Sequence, residues 1–182
     1  MTHSPGFVHL RVHSEYSVID GLVRVRPLIE KTAALRMPAV AITDHVNLYA
    51  LIKFYSAASQ AGIKPICGCD VLVAEDDNPE QFSTLVLLVQ NQTGYRNLTE
   101  LISRAHVEGQ FRGNPCIRRS WLEGASDGLI ALSGARSGDI GRAMFCRQQN
   151  HDASRLVLLG AGGQTQVYRY CVAGRDLRAS KH

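Results

Sequence analysis

The stretch "PAVAITDHVNLYALIKFYSAASQAGIKPICGCDVLVA", residues 38 to 74, contains a whole folding unit. "PAVAIT" is a short apolar strand that ends at Asp44. "LYALIKFYSAASQAG" places Tyr49, Phe54 and Tyr55 at helical spacings, which makes them candidate core positions, and Gly62 is the expected left-handed residue after the helix. "IKPICGCDVLVA" then returns as a second apolar strand. A strand, a helix and a strand in this order form a βαβ unit, whose right-handed crossover builds parallel sheets or barrels. The chain is therefore expected to be α/β.

Working outward, the segment "FVHLRVH" at 7 to 13 alternates, with Val8, Leu10 and Val12 on one face and Phe7, His9, Arg11 and His13 on the other, and reads as a strand. After a turn at Asp20 and Gly21, "RPLIEKTAALR" carries Leu28, Thr32 and Leu35 near helical period, with Pro27 tolerable in a first turn. Beyond the acidic loop "EDDNPEQ", "STLVLLVQ" reads as a fourth strand and "YRNLTELISRAHVEG" as an amphipathic helix with Leu98, Leu101, Ile102 and Ala105 on one face and Gly109 at its end. "GLIALSG" closes the series as a fifth strand. After about Phe145 the texture changes, and residues 146 to 182 read as a Gly-rich basic tail.

Bulk properties narrow the functional classes. At 182 residues the chain has room for one full core, and a hydrophobic content of 45% against 20% charged residues excludes disorder as the default. No apolar run approaches the roughly 20 residues of a bilayer span, and "MTHSPGFVHL" lacks a signal-peptide pattern, so a cytoplasmic protein without membrane contact is expected. Cys67, Cys69, Cys116, Cys146 and Cys171 form no C-x-x-C pair and suit reduced thiols better than disulfides or structural zinc. Residues 1 to 145 hold 14 basic and 14 acidic groups, while residues 146 to 182 hold 6 and 2, so the whole net charge of +4 lies in the tail. A neutral body has no counterion-release footprint, and direct DNA contact is not expected.

In α/β folds the polar groups that perform chemistry gather at the C-terminal ends of strands. His13 follows the first strand, Asp44 and His45 the second, Asp70 sits within the third, and Ser133 ends the fifth. Together with Asp20, such imidazoles and carboxylates are the donors that hold Zn, Mn or Fe and activate water at a phosphoester; the competing reading is a set of solvated or hydrogen-bonded rim residues. His9 reads as a hydrogen-bonded core histidine, His106 as solvated, and Trp121 as a packing anchor. "RRSW" at 118 to 121 reads as the surface start of a helix rather than a single-strand binding patch.

The blocks "FVHLRVHSEYSVIDGLVRV", "PAVAITDHVNLYALIKFY", "AGIKPICGCDVLVA", "NQTGYRNLTELISRA" and "GLIALSG", in this order, resemble the N-terminal polymerase-and-histidinol-phosphatase (PHP) domain of bacterial replicative DNA polymerase III alpha subunits, of the proteobacterial type, over residues 7 to about 145. The resemblance implies a distorted seven-stranded β/α barrel with parallel strands, of which this chain would hold part. It also implies a ligand set. The first histidine of the family's H-x-H pair falls on Arg11 and the second on His13, the motif's aspartate on Asp20, and the histidine of the "TDH" block on His45, preceded by Asp44. The third-strand glutamate falls on Asp70, a histidine on Thr84 and a cysteine on Ala135. A final Asp and His are expected beyond residue 182 in the family order.

Arg11 brings a permanent charge to a place suited to a neutral imidazole and cannot ligate a cation. Beside Asp20, Asp44 or Asp70 it can instead form an ion pair that replaces the metal, so Arg11, His13, Asp20, Asp44, His45, Asp70, Thr84 and Ala135 are expected to form a vestigial pocket with no metal or other cofactor. By the same resemblance, full-length relatives extend a primer 3′ end with a carboxylate pair and Mg that this segment lacks. The chain is expected to be inactive alone, a scaffold that supports the polymerase core and docks the proofreading exonuclease subunit and the rest of the polymerase III holoenzyme. Two alternatives stand beside it: a Zn- or Mn-dependent phosphoesterase or 3′ to 5′ exonuclease, and a non-functional truncated fragment whose tail is a frameshift product.

Overall fold

The computed structural model describes residues 6–76 and 80–145. The domain boundary at about 145 and the expectations for the tail lie outside the described residues. Among them the elements follow the order α1 (Val25–Ala34), β1 (Ala39–Ile42), α2 (Leu51–Gln60), β2 (Lys64–Ala74), β3 (Phe82–Val89), α3 (Gln92–Val107), β4 (Gln110–Phe111), β5 (Asn114–Arg118), α4 (Arg119–Gly124), β6 (Leu129–Ser133), a short 3₁₀ turn (Ala135–Ser137) and α5 (Asp139–Phe145).

β2 is the spine of the sheet. Its first residues, Lys64 to Cys67, pair parallel with β1, while Leu72 to Ala74 pair parallel with β5. Along its other edge β3 runs antiparallel, and β6 pairs antiparallel with β3. The sheet is thus mixed, which corrects the expected run of parallel strands, and it is not closed into a barrel among the described residues. The reason is connection length. Only residues 75–81 join β2 to β3, whereas a parallel crossover needs a dozen or more residues. β3 therefore turns straight back, while β1, β2, β5 and β6 share one direction.

Two apolar layers cover the sheet. The α3 face of Leu98, Leu101, Ile102 and Ala105 packs on Cys69, Val71, Val73, Leu85, Leu87 and Leu129. α1 and α2 close a second layer, with Val25, Ile29, Phe54 and Ala58 against Val40 and Ile42. Alternation along β2 then puts Asp70, the residue between Cys69 and Val71, on the face away from α3. Its cross-strand partner Val86 belongs to a separate small cluster with Ala41, Leu88 and Leu132.

Some element details depart from the expected ones. Residues 7 to 13 are a bent, extended segment tied to β1 through His9 O to Ala41 N and Val12 O to Thr43 N, each 2.8 Å, and not a regular alternating strand. His9 is consequently exposed beside the Phe7 ring rather than in the core. In α1 the buried positions are Val25, Ile29 and Thr32, with Leu35 54% exposed at the frayed end. In α2 only Phe54 of the three aromatic candidates is buried. Tyr49 precedes the helix and is 72% exposed, and Tyr55 points to solvent at 56%. The β4–β5 hairpin, turned by Arg112 and Gly113 at φ 49° and 80°, had no predicted counterpart. Positive φ at both central residues is what a two-residue hairpin turn demands.

α3 begins with Asn91 as its N-cap, whose side chain accepts from Gly94 N at 3.0 Å. Gly94 is needed for a second reason: a Cβ there would lie 1.8 Å from the Gly128 carbonyl oxygen. Replacement by alanine, favourable in an open helix, is thus expected to destabilise the chain by about 1–3 kcal/mol through backbone displacement. Urea unfolding of Gly94→Ala measures this, and a neutral or stabilising result would contradict the close approach.

Candidate functional site

Asp70 is fully buried, and a carboxylate there must be compensated. Its Oδ2 accepts from Arg11 Nε at 2.9 Å, from Arg11 Nη2 at 2.5 Å and from His13 Nε2 at 2.8 Å. Its Oδ1 is buried without a hydrogen-bond partner among the described residues. His13 turns its other nitrogen, Nδ1, to Asp20 Oδ2 at 2.8 Å. Four of the predicted positions, Arg11, His13, Asp20 and Asp70, are thereby joined in one network. The bend after His9 positions it, since the segment that hydrogen-bonds to β1 at His9 and Val12 carries Arg11 and His13 over the middle of β2.

With a carboxylate on each ring nitrogen, both nitrogens of His13 serve as donors only when the ring is an imidazolium. The hydrogen bond that His13 donates to Asp70 raises the histidine's pKa above the ordinary 6.5, partial burial opposes this, and Asp20 adds to the rise. The charge count of the cluster is then balanced, with two cations against two carboxylates.

Asp44 does different work. Its Oδ1 accepts from Ser14 N at 2.6 Å and Ser17 Oγ at 3.0 Å, and its Oδ2 accepts from Ser14 Oγ at 2.7 Å. Ser17 Oγ accepts in turn from His45 N at 2.9 Å. The carboxylate is therefore used up in clamping the 14–17 loop to the end of β1. His45 is half-buried and meets Asp70 through the backbone, in a parallel bridge flanked by Asp70 N to Asp44 O at 3.1 Å and Val46 N to Asp70 O at 2.9 Å. Thr84, paired with Leu72, shares the Asp70 face of the sheet, with apolar Leu72 beside it. Ala135 follows β6 at φ 51° in the 3₁₀ turn. No group of three or more His, Cys, Asp or Glu side chains among the described residues is arranged to hold a metal ion.

Several contributors escaped sequence reasoning. Ser14 and Ser17 carry no motif and become visible only once Asp44 is seen to be buried. Val46 adopts φ 47°, a strained value for a β-branched residue, and its carbonyl accepts from His106 Nε2 at 2.9 Å. His106 is thus a bonded residue, not merely a solvated one. Trp121 is half-buried against the α3 core, as an anchor should be, and the Arg104 guanidinium stacks 4.0 Å from its ring centre.

A histidine whose folded pKa is raised stabilises the fold fully below its unfolded value of about 6.5, and that contribution is lost as pH rises through the higher folded value. Unfolding free energy followed by urea titration across neutral pH is expected to fall through this window in the native chain. His13→Gln should flatten that component, and an unchanged profile in this variant would remove His13 as its source.

Comparison with known proteins identifies the family. The PHP domain family model matches residues 9–160. The DNA polymerase III subunit alpha of Pseudomonas aeruginosa is 55% identical over 139 residues, and that of Escherichia coli K12 is 54% identical over 141 residues. These alignments cover 76% and 78% of this chain, which spans only 12% of either relative. An amidohydrolase from Chromobacterium violaceum, solved with bound SO4 and no metal, superposes with a TM-score of 0.52 at 18% identity, over 88% of this chain and 75% of its own, and shares the fold. On the match over residues 9–160 and these relatives, the chain belongs to the PHP domain family and is similar to the PHP-bearing part of DNA polymerase III alpha subunits.

Proposed function

We propose that this chain is the PHP portion of a DNA polymerase III alpha subunit and acts as a metal-free scaffold. In that role it supports a polymerase core that carries out DNA synthesis and docks a separate proofreading exonuclease subunit. The observation that carries the reading is the Arg11 guanidinium seated on Asp70 Oδ2 together with His13.

The donors present do not fit a divalent cation. Asp70 Oδ2 already takes three N–H groups, both His13 nitrogens face carboxylates, and both Asp44 oxygens serve the 14–17 loop. A cation placed there would also meet the fixed charge of Arg11, which cannot be titrated away. Thr84 and Ala135 offer no imidazole or thiolate in its support. The ion pair supplies the positive charge that the buried carboxylate needs, so the scaffold keeps its shape without hydrolytic chemistry.

One observation favours the second reading, a metal-dependent phosphoesterase or 3′ to 5′ exonuclease. The buried Asp70 Oδ1 lacks a partner and would gain one from a bound cation. Elemental analysis of the purified chain after dialysis separates the two. The scaffold reading expects substoichiometric Zn, Mn and Fe, and no release of nucleotides from a primer in added Mn; one tightly bound metal per chain with such release would overturn it.

The docking role has its own test. Immobilised chain is expected to retain the purified exonuclease subunit through washes at physiological salt. Absence of retention would remove docking from the proposal and leave the support of the polymerase core standing.

A further inference from the structure

Val18, Ile19 and Leu22 are 92%, 88% and 93% exposed, the highest values for large aliphatics among the described residues, and all three lie within five positions. Exposure of this kind on a floppy loop means little, but this loop is fixed. Ser17 N donates to Ser14 O at 2.9 Å, Gly21 N to Ser17 O at 2.7 Å and Glu15 N to Val23 O at 2.9 Å, and Asp44 grips Ser14 and Ser17 from below. The aliphatic groups are thus presented by an ordered backbone, which lowers the entropy lost on docking. Between this loop and α1 runs an open groove of about 450 Å³, lined by Leu22, Val23, Arg24, Pro27, Leu28 and Lys31. Its floor is apolar, and both of its charged lining residues are basic. The Arg24 side chain is 78% exposed and reaches Glu15 only at 3.9 Å, so most of its charge faces outward.

We infer that this groove docks a segment of another polypeptide that carries an aliphatic anchor flanked by aspartate or glutamate. The inference rests on the scaffold reading and gives it a surface and a partner chemistry. An isologous contact with a second copy centred on this groove would bring two basic rims together, where like charges oppose association. An anionic membrane calls for clusters of about 4–8 basic residues; residues 24 to 36 hold four, Arg24, Arg26, Lys31 and Arg36, at the lower bound of that range and with Glu30 among them. A shallow, open groove with a bordering aliphatic ridge suits an extended or helical peptide, whose apolar side chains seat while its acids meet the rim.

The test uses the full chain and two fluorescent peptides. Each carries leucines one helical turn apart, in a glutamate-rich or a lysine-rich background, and binding is read by anisotropy. The acidic peptide is expected to bind at least about tenfold more tightly, and the charge-swapped double variant Arg24→Glu, Lys31→Glu to reverse that preference. Leu22→Ser together with Val18→Ser, both fully exposed positions, should weaken the acidic peptide without lowering the thermal midpoint. Equal affinity for the two peptides, no binding of either, or a preference untouched by the charge swap would overturn the groove assignment. So would dimerisation lost in Leu22→Ser, or adsorption to phosphatidylserine vesicles that exceeds peptide binding. Failure of these peptide tests with the exonuclease subunit still retained by the native chain would sink the groove alone and leave the scaffold reading in place.

Discussion

A carboxylate with no solvent-exposed surface, in the middle of the longest strand, must be met by positive charge or give up its own. Asp70 sets that requirement, and the N-terminal segment meets it. Arg11 and His13 can reach Asp70 only if residues 9 to 13 lie along β1 and cross over β2, so one buried charge dictates where the start of the domain runs. Asp44 repeats the arrangement one strand away, drawing the 14–17 loop inward through two serine hydroxyls and a backbone N–H. Two aspartates thereby hold down a segment that has little regular secondary structure of its own.

The rest of the fold gives these aspartates a rigid base. Alternation along β2 sends Cys69, Val71 and Val73 to the α3 layer and leaves Asp70 on the opposite side. The reversal of β3 lays Val86 against Asp70 and Thr84 against Leu72, so the surroundings of the carboxylate are largely aliphatic and the ion pair is poorly screened from the sheet side. Strain is stored next to Asp70 at Val46, whose N–H donates to the Asp70 carbonyl, and again after β6. Val46 at φ 47° and Ala135 at φ 51° are non-glycine residues in left-handed conformations, and the Val46 carbonyl is held by His106 from α3. Such strain persists only where surrounding contacts over-determine it.

Under the proposed scaffold role, these features serve structure rather than chemistry. The network holds its loops through one buried carboxylate, Asp70, on which Arg11 and His13 converge, with Asp20 joined through His13, and it offers no open coordination position for water or a phosphoester. The loop it fixes is also the loop that presents Val18, Ile19 and Leu22, so the buried network and the exposed apolar ridge are two sides of one segment. What this network stiffens, under the proposed scaffold role, is a surface for another chain.

Much of this was legible along the chain, because it depends on local pattern. The strands at "PAVAIT", "IKPICGCDVLVA" and "STLVLLVQ" and the α3 face of Leu98, Leu101, Ile102 and Ala105 follow from periodicity, and Gly62 stands at φ 70° after α2 as expected. The candidates Arg11, His13, Asp20 and Asp70 could be singled out from residue chemistry and resemblance to a family. Their partners could not. That Arg11 chose Asp70 over Asp20 or Asp44, that Asp44 went to Ser14 and Ser17, that His9 and Tyr49 face solvent, and that β3 runs backward are matters of which groups the tertiary fold brings within about 3 Å. Sequence spacing carries side-chain type and period, whereas ion pairing and burial depend on distances between residues some 30 to 60 positions apart, and only the packed sheet sets those.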